Sequence, residues 1–154
     1  MTSMAIRPAS IADLPGVLAL YAQPDMDDGA ILALEEAETI FARMCAYPDY
    51  ALMVAIEDDA IVGSLALLIM DNLGHLGAKS AIVEDIVVAP AHHGKGIGTA
   101  LVRDAMARAS AKKCYKLVLS SNMKRTRAHA LYERLGFRAH GLSFWGELPP
   151  GETT

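Results

Sequence analysis

The residues best suited to chemistry lie between Glu84 and Val102, in the sequence EDIVVAPAHHGKGIGTALV. An apolar run typical of a buried strand leads into a loop with glycines at positions 94, 96 and 98, and a helical pattern follows. Glycines allow a backbone to approach an anion closely, and the free N–H groups at a helix start favour negative charge. Lys95 adds a positive charge at the rim of the loop. The pattern therefore predicts a loop that binds phosphate groups.

Two other phosphate-binding motifs do not match this loop. A Walker A loop would need a Gly-Lys-Ser/Thr ending, and the dinucleotide fingerprint would need its third glycine one position later. On the glycines alone, a tight strand-to-helix turn that binds nothing remains an alternative.

Two carboxylates, Glu84 and Asp85, interrupt the apolar strand before the loop. A carboxylate in such a strand costs free energy unless it has a partner or a use. Strict alternation would turn the two side chains to opposite faces, so only one could face a common site unless a β-bulge turned both. Each could instead form an ion pair with a neighbouring basic residue.

The composition is typical of one folded domain. The chain has 154 residues, of which 53% are hydrophobic, and we expect a single domain over residues 1–148 with a loose tail over 149–154. The two cysteines exclude a disulfide scaffold, have no metal-ligand spacing, and are predicted to be buried thiols in a reducing compartment. No signal-peptide pattern opens the sequence, and the longest apolar run, residues 60–70, is far shorter than the ~20 residues of a membrane helix. We therefore expect a cytoplasmic protein without a membrane partner.

Charge is unevenly distributed along the chain, although the net charge is only −4. Residues 1–75 hold 12 acids and 2 bases, whereas residues 76–154 hold 6 acids and 12 bases. Aromatic residues, which serve as stacking platforms for bases, make up only 6% of the chain. The basic half therefore favours a local anionic ligand over a nucleic acid partner, or is a solvated helix surface. The histidines have no metal-ligand spacing, so no metal is expected.

Hydrophobic periodicity orders the elements that must position these groups. It predicts strands at 4–7, 51–56, 61–70, 80–89 and 115–120, and a final strand or pair of strands at 137–147. It predicts helices at 11–21 (capped by Ser10), 35–47, 97–112 and 127–135, the last ended by Gly136. The order β-α-α-β-β-β-α-β-α-β predicts an α/β fold (mixed α+β), in which helices flank a mixed central sheet.

Two blocks of this sequence resemble the GNAT superfamily of N-acetyltransferases. His93-Gly94-Lys95-Gly96-Ile97-Gly98 is similar to the family's acetyl-CoA loop, Arg/Gln-x-x-Gly-x-Gly/Ala, with His93 at the Arg/Gln position. The block from Cys114 to Phe137 resembles the family's later strand and helix and ends in Tyr-Glu-x-x-Gly-Phe. The resemblance implies a GNAT-like, mostly antiparallel sheet. Segments 72–88 and 114–119 look like acetyltransferases of small primary amines, including the glucosamine-6-phosphate and aminoalkylphosphonate types.

The resemblance also implies site residues, with acetyl-CoA as co-substrate. Glu84 is the candidate base and Asp85 its rival or an ammonium ligand, while Tyr132 would protonate the departing thiolate. Periodicity alone favours a core tyrosine on an apolar helix face for Tyr132, and it is the resemblance that favours the catalytic role. The expected coenzyme-binding residues are Ile86, Val87 and Val88 along the pantetheine arm, with the oxyanion near Val87, then His93, Gly94, Lys95, Gly96, Ile97, Gly98 and Thr99 at the pyrophosphate, and Asn122.

The function predicted on this basis is acetyl transfer to the primary amine of a small molecule by direct attack. One alternative is a protein acetyltransferase acting on an N-terminal or lysine amine, and another is a catalytically silent coenzyme A-binding module. Lys124, Arg125 and Arg127 could bind the coenzyme's 3′-phosphate or an anionic acceptor, or form a solvated charge run. Asn122 could be a turn residue. The apolar segment Leu142–Leu148 could serve a homodimer interface.

Overall fold

The computed structural model describes residues 3–151. The strands are β1 (Met4–Pro8), β2 (Tyr50–Glu57), β3 (Ala60–Met70), β4 (Lys79–Val88) and β5 (Cys114–Leu119), and the helices are α1 (Leu14–Tyr21), α2 (Leu34–Cys45), α3 (Ile97–Ala111) and α4 (Thr126–Arg134). Short 3-10 turns lie at Ile11–Asp13, His75–Gly77 and Pro90–His92. The four predicted helices and five of the six predicted strands are therefore present.

The described chain forms two compact units, residues 3–119 and residues 120–151. The first unit contains a sheet in the order β1-β2-β3-β4-β5. Strands β1 to β4 are mutually antiparallel, and β5 lies parallel to β4. This confirms the prediction of a mixed, mostly antiparallel sheet flanked by helices.

Alternating residues of the strands pack against helices on both faces of this sheet. On one face, buried residues such as Met53, Leu65 and Val83 form a cluster with Ile97 and Leu101 of α3. On the other face, a second cluster includes residues of α1, α2 and β2, namely Leu14, Val17, Leu18, Tyr21, Ala37, Phe41, Leu52 and Val54. The second face is called the α1/α2 face below.

Hydrogen bonds hold the start of α1 beside β1. The Asp13 carboxylate accepts from the backbone N–H of Ser10 at 2.7 Å and from both terminal nitrogens of Arg7 at 2.6 and 3.0 Å. Ser10 is the N-cap of the 3-10 turn that leads into α1, which confirms its predicted capping role. The hydrogen bond from the Arg7 guanidinium is the main cause that lowers the pKa of Asp13 to about 2, although burial of the carboxylate acts against it. The hydrogen bonds from Ser10 lower the pKa as well.

The second unit contains α4 and the segment after it. The predicted sixth strand over residues 137–147 is not formed, and residues 120–151 contain no strand. A strand needs a neighbour that satisfies its backbone groups, and alternating apolar residues alone do not supply one. Four large side chains of this segment are 83–91% exposed, namely Leu142, Phe144, Trp145 and Leu148.

The prediction of two buried thiols was wrong. Cys45 is exposed and Cys114 is half-buried, and both are free. Cys45 is the last residue of α2, where the helix end leaves the side chain outside the core. Between residues 3 and 151, no helix is long and apolar enough to cross a membrane. The last three residues of the predicted loose tail lie outside the described residues.

Candidate functional site

A β-bulge in β4 places the two candidate carboxylates. Ala66 of β3 lies opposite Glu84, whereas Ser64 lies opposite Val87, so two residues of β4 face Leu65. The first of them, Asp85, has a left-handed backbone with φ of 53°. The bulge breaks the strict alternation of side chains along β4. Such a break is the condition under which both carboxylates could serve one site.

Neither Glu84 nor Asp85 forms an ion pair with a basic residue among residues 3–151. Both residues are exposed. Two anionic side chains at one bulge are therefore available to a ligand. An exposed carboxylate can bind an ammonium group or accept its proton.

The edge of β4 beyond the bulge is open. Strand β5 pairs with β4 only over Lys79–Val83, so residues 84–88 have no strand on that side within the described chain. The N–H of Ala89 donates to the carbonyl of Val62 on β3 at 2.8 Å. Antiparallel alternation then directs the N–H and C=O of Val88 to the open side and those of Val87 toward β3. An extended ligand could pair with β4 along this edge.

Two side chains contact the carbonyl oxygen of Val88 at this open edge. The Nε2 atom of Gln23, in the loop after α1, donates to it at 3.2 Å. The Nε2 atom of His93 lies 2.9 Å from the same oxygen, which requires the tautomer that carries a proton on Nε2. His93 thus connects the start of the glycine loop to the end of β4.

The glycine loop has the backbone geometry of an anion site. Gly94 and Gly96 have φ of 76° and 83°, and a Cβ atom added to either would meet nothing within 4 Å. Gly96 is the N-cap of α3, whose first turn holds no acidic residue. The N–H groups of Ile97, Gly98 and Thr99 have no acceptor within the helix. This arrangement fits a pyrophosphate, because open space lies beside the loop and unpaired N–H groups lie at its end.

A histidine that the sequence analysis missed supports the same loop. His92 Nε2 lies 3.1 Å from the Glu57 carboxylate at the end of β2, and both side chains are largely buried. The Nδ1 atom of His92 is buried without a hydrogen-bond partner in the described structure. The contact joins the β2–β3 turn to the loop before α3, across 35 positions that no local sequence pattern connects.

Two tyrosines on the α1/α2 face were also missed. Burial and then the charge of Asp85 raise the pKa of Tyr21 to about 12, against a smaller opposite effect of the hydrogen bond with the Ser64 hydroxyl. Burial likewise raises the pKa of Tyr50, and Asp85 and then Glu84 add to that shift. Both phenols therefore stay neutral at physiological pH and lie close enough to the bulge to sense its charges.

The second unit holds the other two predicted residues. Tyr132 lies on α4 and is 8% exposed, and its burial raises the pKa of the phenol, while the Arg125 charge lowers it by less. The side-chain oxygen of Asn122 accepts from the Lys124 N–H at 2.9 Å, which is a turn contact before α4. Lys124, Arg125 and Arg127 are exposed.

No group of three or more metal-ligating side chains is assembled among residues 3–151.

The predicted site residues of the first unit gather at one end of β4, where they form the bulge, the open edge and the glycine loop. The chemistry available there is the binding of an anion and an extended arm beside two carboxylates.

Comparison with known proteins adds an independent observation. The family model described as "Acetyltransferase (GNAT) family" matches residues 18–137. Glucosamine 6-phosphate N-acetyltransferase 1 of Oryza sativa subsp. japonica is 30% identical over 138 residues, which cover 86% of this chain and 79% of that protein.

Two further similarities concern Trypanosoma brucei. Glucosamine 6-phosphate N-acetyltransferase of Trypanosoma brucei brucei is 41% identical over 80 residues, and the match spans only about half of either protein, 52% of each. The crystal structure of a Trypanosoma brucei acetyltransferase matches with a TM-score of 0.83 and 30% identity, covering 95% of this chain and 100% of that one.

Proposed function

The chain belongs to the acetyltransferase (GNAT) family, and from this membership we propose that it transfers an acetyl group from acetyl-CoA to the primary amine of a small molecule. The observation that carries the proposal is the open glycine loop at the start of α3, next to the unpaired edge of β4. A coenzyme with a pyrophosphate and an extended amide-bearing arm is complementary to these two features.

In this proposal the chain binds the coenzyme mainly through its backbone. The residues from His93 to Thr99 hold the pyrophosphate, with Lys95 adding charge at the rim. The pantetheine arm runs along Ile86, Val87 and Val88 as a surrogate strand. The outward N–H of Val88 supports this pairing.

Direct transfer needs one proton acceptor and one proton donor. Glu84 takes a proton from the acceptor's ammonium group, directly or through a water, while Asp85 binds the ammonium. The neutral amine attacks the thioester carbonyl carbon, the C–S bond breaks, and Tyr132 gives its phenolic proton to the thiolate. The nitrogen of the new amide loses its second proton to solvent, Tyr132 takes a proton back from solvent, and Glu84 releases the proton that it accepted. An outward-facing backbone N–H of β4 stabilises the oxyanion that forms between the attack and the breaking of the C–S bond. The N–H of Val87, the expected position, does not serve this role, because it points toward β3. The raised pKa of Tyr132 supports its role, because the phenol carries its proton at physiological pH.

We propose amino sugars as the first acceptors to test. Both curated relatives described above carry glucosamine 6-phosphate in their names. The exposed carboxylate pair at the bulge would bind the ammonium group of such a substrate.

We further propose that residues 1–148 act as one acetyltransferase domain and that the protein is a cytoplasmic homodimer. The exposed apolar residues of 142–148 support the dimer, since such a segment is stabilised by burial against a second copy. The free cysteines support a reducing compartment.

The proposal is tested by calorimetry with acetyl-CoA, followed by a thiol-release assay over amino sugars, aminophosphonates, polyamines, amino acids and peptides. We expect binding and turnover of a small amine. Turnover of peptides alone would contradict the small-molecule acceptor, and absence of acetyl-CoA binding would contradict the assignment of the glycine loop.

A further inference from the structure

Tyr21, Tyr50 and Glu84, from α1, β2 and β4, lie on the α1/α2 face, and Asp85 is the bulge residue that follows Glu84. Leu52, Ala66 and Glu84 lie opposite one another on β2, β3 and β4, so they share a face of the sheet. Tyr50 is two residues before Leu52 and therefore projects to the same face. Tyr21 packs on that face from the end of α1.

A side-chain hydrogen bond joins the loop after α1 to the end of β4. The Gln23 side chain, two residues after Tyr21, donates to the Val88 carbonyl at 3.2 Å. The bulge residue Asp85 lies three positions before Val88 on the same strand. The Tyr21 hydroxyl lies near the Asp85 carboxylate and the buried hydroxyl of Ser64.

On this geometry, we propose that Tyr21 and Tyr50 are acceptor-binding residues that hold the ammonium end of a primary amine beside Glu84 and Asp85. The inference rests on the proposed acetyl transfer and adds two residues to it. A neutral phenol accepts a hydrogen bond from an ammonium N–H, and its ring face attracts the cation. Two carboxylates and two phenols together satisfy the ammonium donors and orient the nitrogen before it loses a proton.

The pKa shifts support the same arrangement. Burial is the largest cause of the raised pKa of both phenols, the charge of Asp85 is the next, and Glu84 also raises the pKa of Tyr50. A bound ammonium would offset this concentration of negative charge, which the chain does not neutralise with an ion pair of its own among the described residues.

The test uses Tyr21→Phe and Tyr50→Phe, which remove only the hydroxyls. Glucosamine and glucosamine 6-phosphate are titrated into the coenzyme A-bound protein, and KM and kcat are measured with acetyl-CoA. Each variant should weaken the binding of both amines roughly two- to tenfold, the value of one hydrogen bond. KM for the amine should rise by the same factor with kcat and the acetyl-CoA affinity little changed, because the contact is made before and during transfer.

Tyr115→Phe is the matched control. Tyr115 lies on β5, stacks on His75 with centroids 4.3 Å apart, and is 42% exposed. Its loss of a hydroxyl should leave amine binding unchanged. Thermal unfolding of all three variants distinguishes a binding effect from a change in stability.

The outcomes are distinguishable. Unchanged amine affinity in both tyrosine variants would overturn the inference. The inference would also be overturned if neither glucosamine nor glucosamine 6-phosphate bound to the coenzyme A-bound wild type. If the two tyrosine variants bind the amines more weakly but the wild type shows no turnover, the result would support the amine-binding role of Tyr21 and Tyr50. The same result would contradict the proposed acetyl transfer.

Discussion

The rings of Tyr132 and Phe137 meet edge-on at the end of α4, with centroids 6.1 Å apart and planes at 61°. The N–H of Phe137 donates to the carbonyl of Tyr132, and the N–H of Gly136 donates to that of Glu133, both at 3.0 Å. These contacts form a Schellman motif with its usual hydrophobic pair. The helix end therefore fixes the orientation of the Tyr132 side chain through backbone bonds that do not involve its hydroxyl.

Tyr132→Phe is accordingly expected to keep the fold and lose proton donation. We expect kcat to fall by about 10²-fold with the acetyl-CoA affinity unchanged, measured by thiol release and calorimetry. Since burial raises the pKa of this phenol, the wild-type kcat should fall from ionisation of Tyr132 only at a pH above the ordinary range of tyrosine ionisation. Wild-type turnover in the variant would remove Tyr132 from the mechanism.

Gly96→Asp should abolish acetyl-CoA binding. Its side chain and charge would lie at the open position where the pyrophosphate is proposed, on a backbone with φ of 83°. Gly29→Asp is the matched control, because Gly29 has φ of 88° and equally open space but lies in the loop after α1. Calorimetry on both variants tests the site, and retained binding in Gly96→Asp would show that the loop does not hold the coenzyme.

Glu84→Gln should lower kcat by about 10²-fold, because an amide cannot accept the proton of the acceptor. Asp85→Asn should instead raise KM for the amine, with a smaller effect on kcat, since its proposed role is to bind the ammonium. Steady-state kinetics over a range of pH separates the two. The reverse pattern would assign the base to Asp85.

The ion pair at the start of α1 should make stability depend on pH. The pKa of Asp13 is lowered to about 2, below its value in the unfolded chain, so its contribution is complete above pH ~4 and is lost as the pH falls toward 2. Asp13→Asn should cost about 1–2 kcal/mol at pH 7, a value reduced for the solvent exposure of Arg7. Urea unfolding at pH 7 measures this difference.

Asp104→Asn is the comparison for that measurement. Asp104 pairs with Arg108 on the surface of α3 at 2.7 Å, so its replacement should cost only about 0.3–0.5 kcal/mol. Equal losses in the two variants would show that the capping contacts of Asp13 add nothing.

Phe144→Ser should weaken the proposed dimer. Phe144 is 87% exposed in the single chain, and its burial against a second copy would supply part of the association free energy. Sedimentation or light scattering over a range of concentrations measures the effect, with Met123→Ser, at an 88% exposed position outside this segment, as the control. A monomeric wild type would contradict the dimer.

The features that the sequence predicted are local ones. The glycine loop, the start of α3 and the Gly136 helix end depend on residues within a few positions of one another, since backbone φ and helix capping are set by near neighbours. The order of the first nine elements follows from hydrophobic period for the same reason. Residues 137–147 show the limit of this reasoning, because their alternating pattern does not create the neighbour that a strand requires.

Only the tertiary structure decided what surrounds Glu84 and Asp85. The bulge is a mismatch in count between β3 and β4, so it is invisible in either strand alone. Tyr21 and Tyr50 reach the same face through a helix and a strand far apart in the chain. Sequence spacing does not predict that these two distant segments lie together. Strand register and helix packing are set by burial of the whole core rather than by any single segment.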